Sequence, residues 1–91
     1  MAALVSTTAN ATVDYCVAVN KTPDGFLAVR EGPDASSKMI AKVHSGDKLN
    51  ADADDGKWTR VVSITGEFTT GWVATRYIKF DKACTDRMYR D

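Results

Sequence analysis

The sequence predicts an all-β fold, a small barrel or sandwich of five to seven short antiparallel strands. Two patterns indicate this class. Apolar and polar residues alternate over short runs, and Gly, Pro, Asn and Asp clusters recur at intervals of about eight to twelve residues. The composition agrees, because the β-branched residues Val and Thr supply 9 and 10 of the 91 residues, whereas the helix formers Leu and Glu supply only 3 and 2.

The first predicted strand is the alternating run 15–19, in which Tyr15, Val17 and Val19 are expected on one face of a sheet. Further strands are predicted over 26–30, 39–43, 48–53, 57–64, 70–74 and 78–80. Turn residues separate these runs, as in Asp55-Gly56, a pair that suits the primed turns joining antiparallel strands. Residues 75–77 are predicted to form one 3₁₀ turn before the last strand.

Residues 1–12 are not expected to belong to the domain. They carry no charged side chain, and Ala9-Asn10-Ala11 has the small-x-small pattern that signal peptidase accepts. We interpret 1–12 as the remnant of a secretory signal or, alternatively, as a disordered tail. The domain is predicted over 13–84, and residues 85–91 are assigned to a polar C-terminal tail.

The chain has two cysteines, Cys16 and Cys84, one near each end of the predicted domain. We expect them to form a disulfide, which is the one intramolecular pairing available; two free thiols in a cytosolic protein are the alternative. Closing a loop of this length stabilises a fold by about 4 kcal/mol in the loop-entropy treatment. A disulfide implies an oxidising compartment, so a periplasmic or secreted location is predicted.

Charge and hydropathy disfavour two classes of partner. The 12 basic residues balance the 12 acidic ones, so nucleic acid is not an expected ligand. Basic residues do gather near the C-terminus, but three aspartates alternate with them; the set is Arg76, Lys79, Lys82, Arg87 and Arg90 with Asp81, Asp86 and Asp91. No run of about 18 apolar residues is present, so no membrane span is predicted.

Catalytic and metal-binding patterns are weak. The one histidine, His44, falls in a turn with no nucleophile at a favourable spacing, so we interpret it as an exposed turn residue and expect no enzymatic activity. The acidic run 52–56 does not fit a calcium loop, because Gly56 falls at a ligand position. We therefore predict no metal, no cofactor and a monomer.

Five short motifs in order resemble the bacterial SH3-like domain family. The run 27–33, Leu-Ala-Val-Arg-Glu-Gly-Pro, resembles the family signature L-N-V-R-x-G-P, with Ala28 at the usual Asn position. The remaining motifs are Met39-Ile40 with Val43, Gly46-Asp47, Gly56-Lys57-Trp58 with Val61, and Gly71-Trp72-Val73 with Tyr77-Ile78. The connection 63–70 is longer than is usual in the family.

The resemblance implies an SH3-like open barrel with its termini close together, which agrees with a disulfide between the ends. It also implies a non-enzymatic binding module, exported and recognising cell-wall (peptidoglycan) peptide or an extended peptide segment. The alternative is a structural or protein–protein interaction module of the cell envelope with no cell-wall affinity.

Aromatic residues are the strongest binding candidates, because rings with an apolar face and a polar edge commonly line peptide sites. The candidate ligand-binding residues are Asp24, Phe26, Trp58, Trp72 and Tyr77. Asp24 and Phe26 are included because the resemblance places them in a loop beside the groove. Packing inside the barrel is the alternative role for the aromatic rings. Arg30 is expected to tie loop carbonyls together rather than to contact ligand.

Overall fold

The computed structural model describes residues 14–89, which form seven strands, a 3₁₀ turn and one helix. The elements are β1 (Tyr15–Val19), β2 (Leu27–Arg30), β3 (Met39–Val43), β4 (Lys48–Asp54), β5 (Trp58–Ser63), β6 (Thr70–Ala74), the 3₁₀ turn (Thr75–Tyr77), β7 (Ile78–Phe80) and α1 (Lys82–Met88). Each predicted strand and the predicted 3₁₀ turn are confirmed, with ends within one residue of the prediction. The segment interpreted as a signal remnant lies outside the described residues.

All seven strands belong to one antiparallel sheet in the order β3-β2-β6-β5-β4-β1-β7. Inward-facing side chains from six strands form one buried cluster: Val17, Val19, Leu27, Val29, Val43, Leu49, Ala51, Val61 and Val73. A flat sheet cannot bury one face against itself, so a single cluster of this kind requires the sheet to curl around it. The predicted all-β open barrel is confirmed.

Strand β1 is buried on both faces, unlike the other strands. Val17 and Val19 face the barrel core, while Cys16 and Ala18 point outward and are nonetheless almost fully buried. Helix α1 packs across this outer face, where Cys16 is joined to Cys84 by a disulfide with a Cα–Cα distance of 5.6 Å. The Cys16 N–H also donates to Thr85 Oγ1 at 2.9 Å, so the helix replaces solvent over β1.

Helix α1 was not expected from the sequence, which assigns 85–91 to a polar tail. Asp81 begins the helix, because its Oδ1 accepts a hydrogen bond from the Cys84 N–H at 2.8 Å. Near the other end, the Tyr89 hydroxyl donates to the Asp14 carbonyl, which places the two ends of the described chain side by side. No helix within residues 14–89 has the length and apolar character needed to cross a membrane.

The ionisation of Asp81 makes the stability of the domain depend on pH. Its pKa lies below the ordinary aspartate value, because Lys48 Nζ donates to Asp81 Oδ2 at 2.5 Å and the Cys84 N–H donates to Oδ1. A lowered folded-state pKa contributes stability that is complete above the ordinary pKa of about 4 and is lost as the pH falls through the lowered value. We expect Asp81→Asn to reduce stability at neutral pH, by an amount that shrinks below about pH 4.

Urea unfolding of the wild-type and Asp81→Asn proteins across this pH range measures the effect. In a Lys48→Met background the pH-dependent part of the stability difference should be smaller, because the hydrogen bond from Lys48, the largest cause of the lowered Asp81 pKa, is gone. A stability difference that stays constant from neutral to strongly acidic pH would contradict the assignment.

Candidate functional site

A groove with a volume of about 760 Å³ lies on the surface formed by residues 14–89. Its walls come from the β1–β2 loop with the first half of β2, from the β4–β5 turn, and from the 3₁₀ turn. Arg30, Ala35 and Met39 complete the lining. The groove is therefore assembled from connections between strands, whereas the barrel supplies the rigid support.

The β1–β2 loop is held in shape by its own hydrogen bonds. Thr22 Oγ1 donates to the Phe26 carbonyl at 2.8 Å, and the Gly25 N–H donates to the Thr22 carbonyl at 3.2 Å. Gly25 has φ +83°, a conformation that side chains rarely adopt, which lets the chain turn sharply there. Asp24 is consequently exposed and Phe26 half-buried. The Lys42 ammonium lies 4.6 Å from the centre of the Phe26 ring.

The β4–β5 turn positions Trp58 through two carboxylates. Asp54 Oδ1 accepts from the Gly56 N–H at 2.5 Å, and Asp55 Oδ1 accepts from the N–H groups of Lys57 and Trp58 at 3.0 and 2.8 Å. These acceptors belong to the acidic run that the sequence suggests is a turn rather than a calcium loop. Within residues 14–89 no three His, Cys, Asp or Glu side chains cluster as metal ligands would. The turn leaves Trp58 half-buried on the groove.

The 3₁₀ turn is tied to both neighbouring walls by backbone hydrogen bonds. The Thr75 N–H donates to the Lys57 carbonyl at 2.9 Å, and the Asn20 N–H donates to the Tyr77 carbonyl at 2.8 Å. Tyr77 is half-buried and packs against the barrel core. The Arg76 guanidinium lies over the Tyr77 ring, 4.9 Å from its centre. The three walls are thus connected to one another through main-chain contacts.

Arg30 stands where β2 ends and the loop 31–38 begins. Its guanidinium donates to the Ser37 carbonyl at 2.9 Å, which confirms the expected role of tying loop carbonyls. The loop is closed further by the Glu31 N–H, which donates to the Lys38 carbonyl at 2.9 Å. Arg30 also lines the groove, so it is both a support for the loop and part of the groove surface.

Four of the five candidate binding residues lie on the groove: Asp24, Phe26, Trp58 and Tyr77. The fifth, Trp72, is not among the groove-lining residues. It is half-buried on the outer face of β6, where its neighbours across the sheet are Arg60 on β5 and Arg30 on β2. Alternation explains this position, because the flanking Gly71 and Val73 face the core and Trp72 must face outward.

Sequence reasoning missed two cations, Lys57 and Arg76, which line the groove beside the aromatic rings. Arg76 was grouped with the C-terminal basic residues whose charge the aspartates balance. That interpretation holds for Lys82, which pairs with Asp86 at 2.7 Å, but Arg76 lies in a different part of the molecule. Their positions in the sequence could have indicated this placement, because Lys57 precedes Trp58 and Arg76 precedes Tyr77.

His44 lies exposed in the β3–β4 turn, as expected. Its backbone N–H donates to Asp47 Oδ2 at 2.8 Å, which is a turn contact. The groove does not include it.

The family model for the bacterial SH3 domain matches residues 25–79, more than half of the chain. The matched segment contains all the groove-lining residues except Thr22, Pro23 and Asp24. A search of curated proteins finds none that matches this chain.

Proposed function

Because this chain belongs to the bacterial SH3 domain family, we propose that its groove binds an extended peptide segment and that the natural ligand is a cell-wall peptide. The family assignment indicates a binding module. The observation that carries the proposal is the groove itself, which combines three aromatic side chains, Phe26, Trp58 and Tyr77, with charged groups at one surface.

The size and lining of the groove suit a short peptide. Its volume of about 760 Å³ falls within the range of about 300–1,000 Å³ typical of ligand sites. Half-buried rings offer flat apolar surface at little cost in conformational entropy, since an aromatic side chain has few rotatable bonds. Polar groups of a peptide backbone can form hydrogen bonds with Asp24 and with the cations that line the groove.

The disulfide supports export, which a cell-wall ligand requires. Cys16 and Cys84 are paired, and disulfides persist in oxidising compartments such as the periplasm or the exterior of the cell. We therefore infer that the domain acts in the envelope or outside it.

An NMR titration of the oxidised, isotopically labelled protein tests this function. Soluble peptidoglycan fragments are added in one series and a proline-rich peptide in a control series. Amide shifts at Asp24, Phe26, Trp58 and Tyr77 with the wall fragments alone are the expected result. An absence of shifts with wall fragments would overturn the proposal and favour a structural or protein–protein interaction module.

Trp58→Ala should weaken binding of the wall fragments about tenfold, because a central aromatic contact in a groove carries a large share of the binding energy. Trp72→Ala is the matched control, since it removes a half-buried tryptophan that lies outside the groove. Titrations and melting curves of both variants separate binding from folding. Equal affinity losses in the two variants would argue against a binding role for Trp58.

A further inference from the structure

We propose that the groove selects peptides carrying a free carboxylate and that Lys57 and Arg76 bind this carboxylate together. This inference rests on the proposed function, since it specifies the ligand chemistry of the same groove. It is carried by the placement of the two cations, by their lack of acidic partners and by the contact between Arg76 and the Tyr77 ring.

Lys57 and Arg76 come from different elements that the fold holds in contact. Lys57 belongs to the β4–β5 turn, and its carbonyl accepts a hydrogen bond from the Thr75 N–H at 2.9 Å. The next residues on each side, Trp58 and Ala74, are paired across β5 and β6. Both residues line the groove, so the two cations belong to one wall formed by adjoining elements.

Lys57 and Arg76 have no acidic partner within residues 14–89. Three ion pairs are present among residues 14–89, Lys48–Asp81, Arg60–Asp52 and Lys82–Asp86, with distances of 2.5 to 2.8 Å. None of them includes Lys57 or Arg76. The groove lining holds three cations, Arg30, Lys57 and Arg76, against one acidic residue, so it has a positive surplus that a ligand anion can neutralise.

The acidic residues nearest in sequence do not remove this surplus by direct pairing. Asp54 and Asp55 accept hydrogen bonds from backbone N–H groups of their own turn, and neither lines the groove. Asp24 is the single acidic residue in the groove lining, and it belongs to the β1–β2 loop rather than to the cationic wall.

Arg76 contacts an aromatic ring of the same wall. Its guanidinium lies over the Tyr77 ring, 4.9 Å from the ring centre. A guanidinium offers paired N–H donors that match the two oxygens of a carboxylate, and the contact with the ring reduces the side-chain freedom lost on binding. Lys57 supplies a second, more mobile charge next to it.

A carboxylate fits these features better than a polyanion does. Nucleic acid would need an extended basic surface, whereas the groove has a short cationic wall, an acidic residue and an apolar aromatic floor. A peptide with one carboxylate satisfies all three, because its backbone and side chains can cover the rings while the carboxylate pairs with the wall.

The test uses the synthetic pentapeptide L-Ala-γ-D-Glu-L-Lys-D-Ala-D-Ala as the free acid and as the form with both carboxylates amidated. Isothermal titration of the oxidised protein should show binding about tenfold weaker for the amidated peptide. Lys57→Gln and Arg76→Gln should each weaken binding of the free acid about three- to fivefold and leave the amidated peptide almost unaffected.

Two further variants separate local contacts from total charge. Lys79→Gln removes an exposed cation of β7 that does not line the groove, and it should leave both affinities unchanged. Arg76→Lys keeps the charge and should restore part of the affinity lost in Arg76→Gln.

Three outcomes would overturn the inference. Equal affinity for the acid and the amide would overturn carboxylate selection while leaving peptide binding intact. Equal weakening of both peptides by Lys57→Gln and Arg76→Gln would show that the cations act on some other group, which also overturns the inference. Binding of neither peptide would overturn this inference together with a cell-wall peptide as ligand.

Discussion

Loss of the Cys16–Cys84 disulfide will lower the melting temperature of the domain by roughly 15 to 30 °C. The two cysteines are 68 residues apart in sequence, and releasing a loop of this length destabilises the folded state by about 4 kcal/mol through the entropy gained by the unfolded chain. Helix α1 has seven residues, too few to be stable without tertiary support. Freed from Cys16, it would cover the outer face of β1 less well.

Thermal unfolding followed by circular dichroism, with and without reductant, measures this effect. The Cys16→Ala/Cys84→Ala variant is the control, because it should melt near the reduced wild-type protein and should not respond to reductant. A fully reduced wild-type protein, verified by intact mass, that melts with the oxidised one would contradict the expectation.

Gly71→Ala will destabilise the domain by about 3 kcal/mol. Gly71 is buried in β6 where that strand passes close to β2. A Cβ atom at this position would overlap Val29 Cγ1 and would lie 3.2 Å from the Arg30 carbonyl oxygen. Val29 is fully buried among core residues, so neither strand can move away to relieve the overlap without loss of packing.

A double-mutant cycle in urea isolates this clash. Val29→Ala alone should destabilise through the cavity it leaves, but it removes the atom that the new methyl group would strike. The Gly71→Ala/Val29→Ala protein should therefore be more stable than the sum of the two single effects predicts. If the two single effects on the free energy of unfolding simply add, the destabilisation by Gly71→Ala has another cause, for example the close approach to the Arg30 carbonyl oxygen.

The strands were predictable because both of their determinants are local. In β5, the buried Thr59 and Val61 alternate with the half-buried Trp58 and Arg60, and the strand is preceded by Asp55-Gly56. Gly56 has φ +97°, which the sequence pair anticipates. The alternation of side chains and the turn residues are both local in the sequence and do not depend on distant contacts. The strand boundaries could therefore be predicted closely.

Helix α1 was not predictable by the same route. Its seven residues show no helical apolar repeat, and its one buried residue is Cys84. The helix depends on contacts distant in sequence, namely the disulfide to Cys16 and the packing over β1. The local signal was Asp81 in the N-cap position, which is common in loops as well and so discriminates poorly.

The groove was predictable in part. Trp58 and Phe26 adjoin turns, and residues at strand ends border the spaces between loops. Trp72 is a tryptophan like Trp58, but it lies in the middle of a strand and outside the groove. Alternation predicts that Trp72 faces outward, but it does not predict which part of the outer face the groove occupies. The sequence could not predict whether Arg76 forms an ion pair, because that depends on which acidic residues folding brings near it.

The adjacency of Asp14 and Tyr89 makes this domain suited to insertion and to circular permutation. A chain that enters and leaves at neighbouring points can be placed within a surface loop of another protein without separating the ends of that loop. No groove-lining residue belongs to β1, β7 or α1, the elements nearest the attachment point. Copies joined in series through these ends would each keep an uncovered groove, and several such grooves would together gain avidity for a polymer that repeats the proposed peptide ligand.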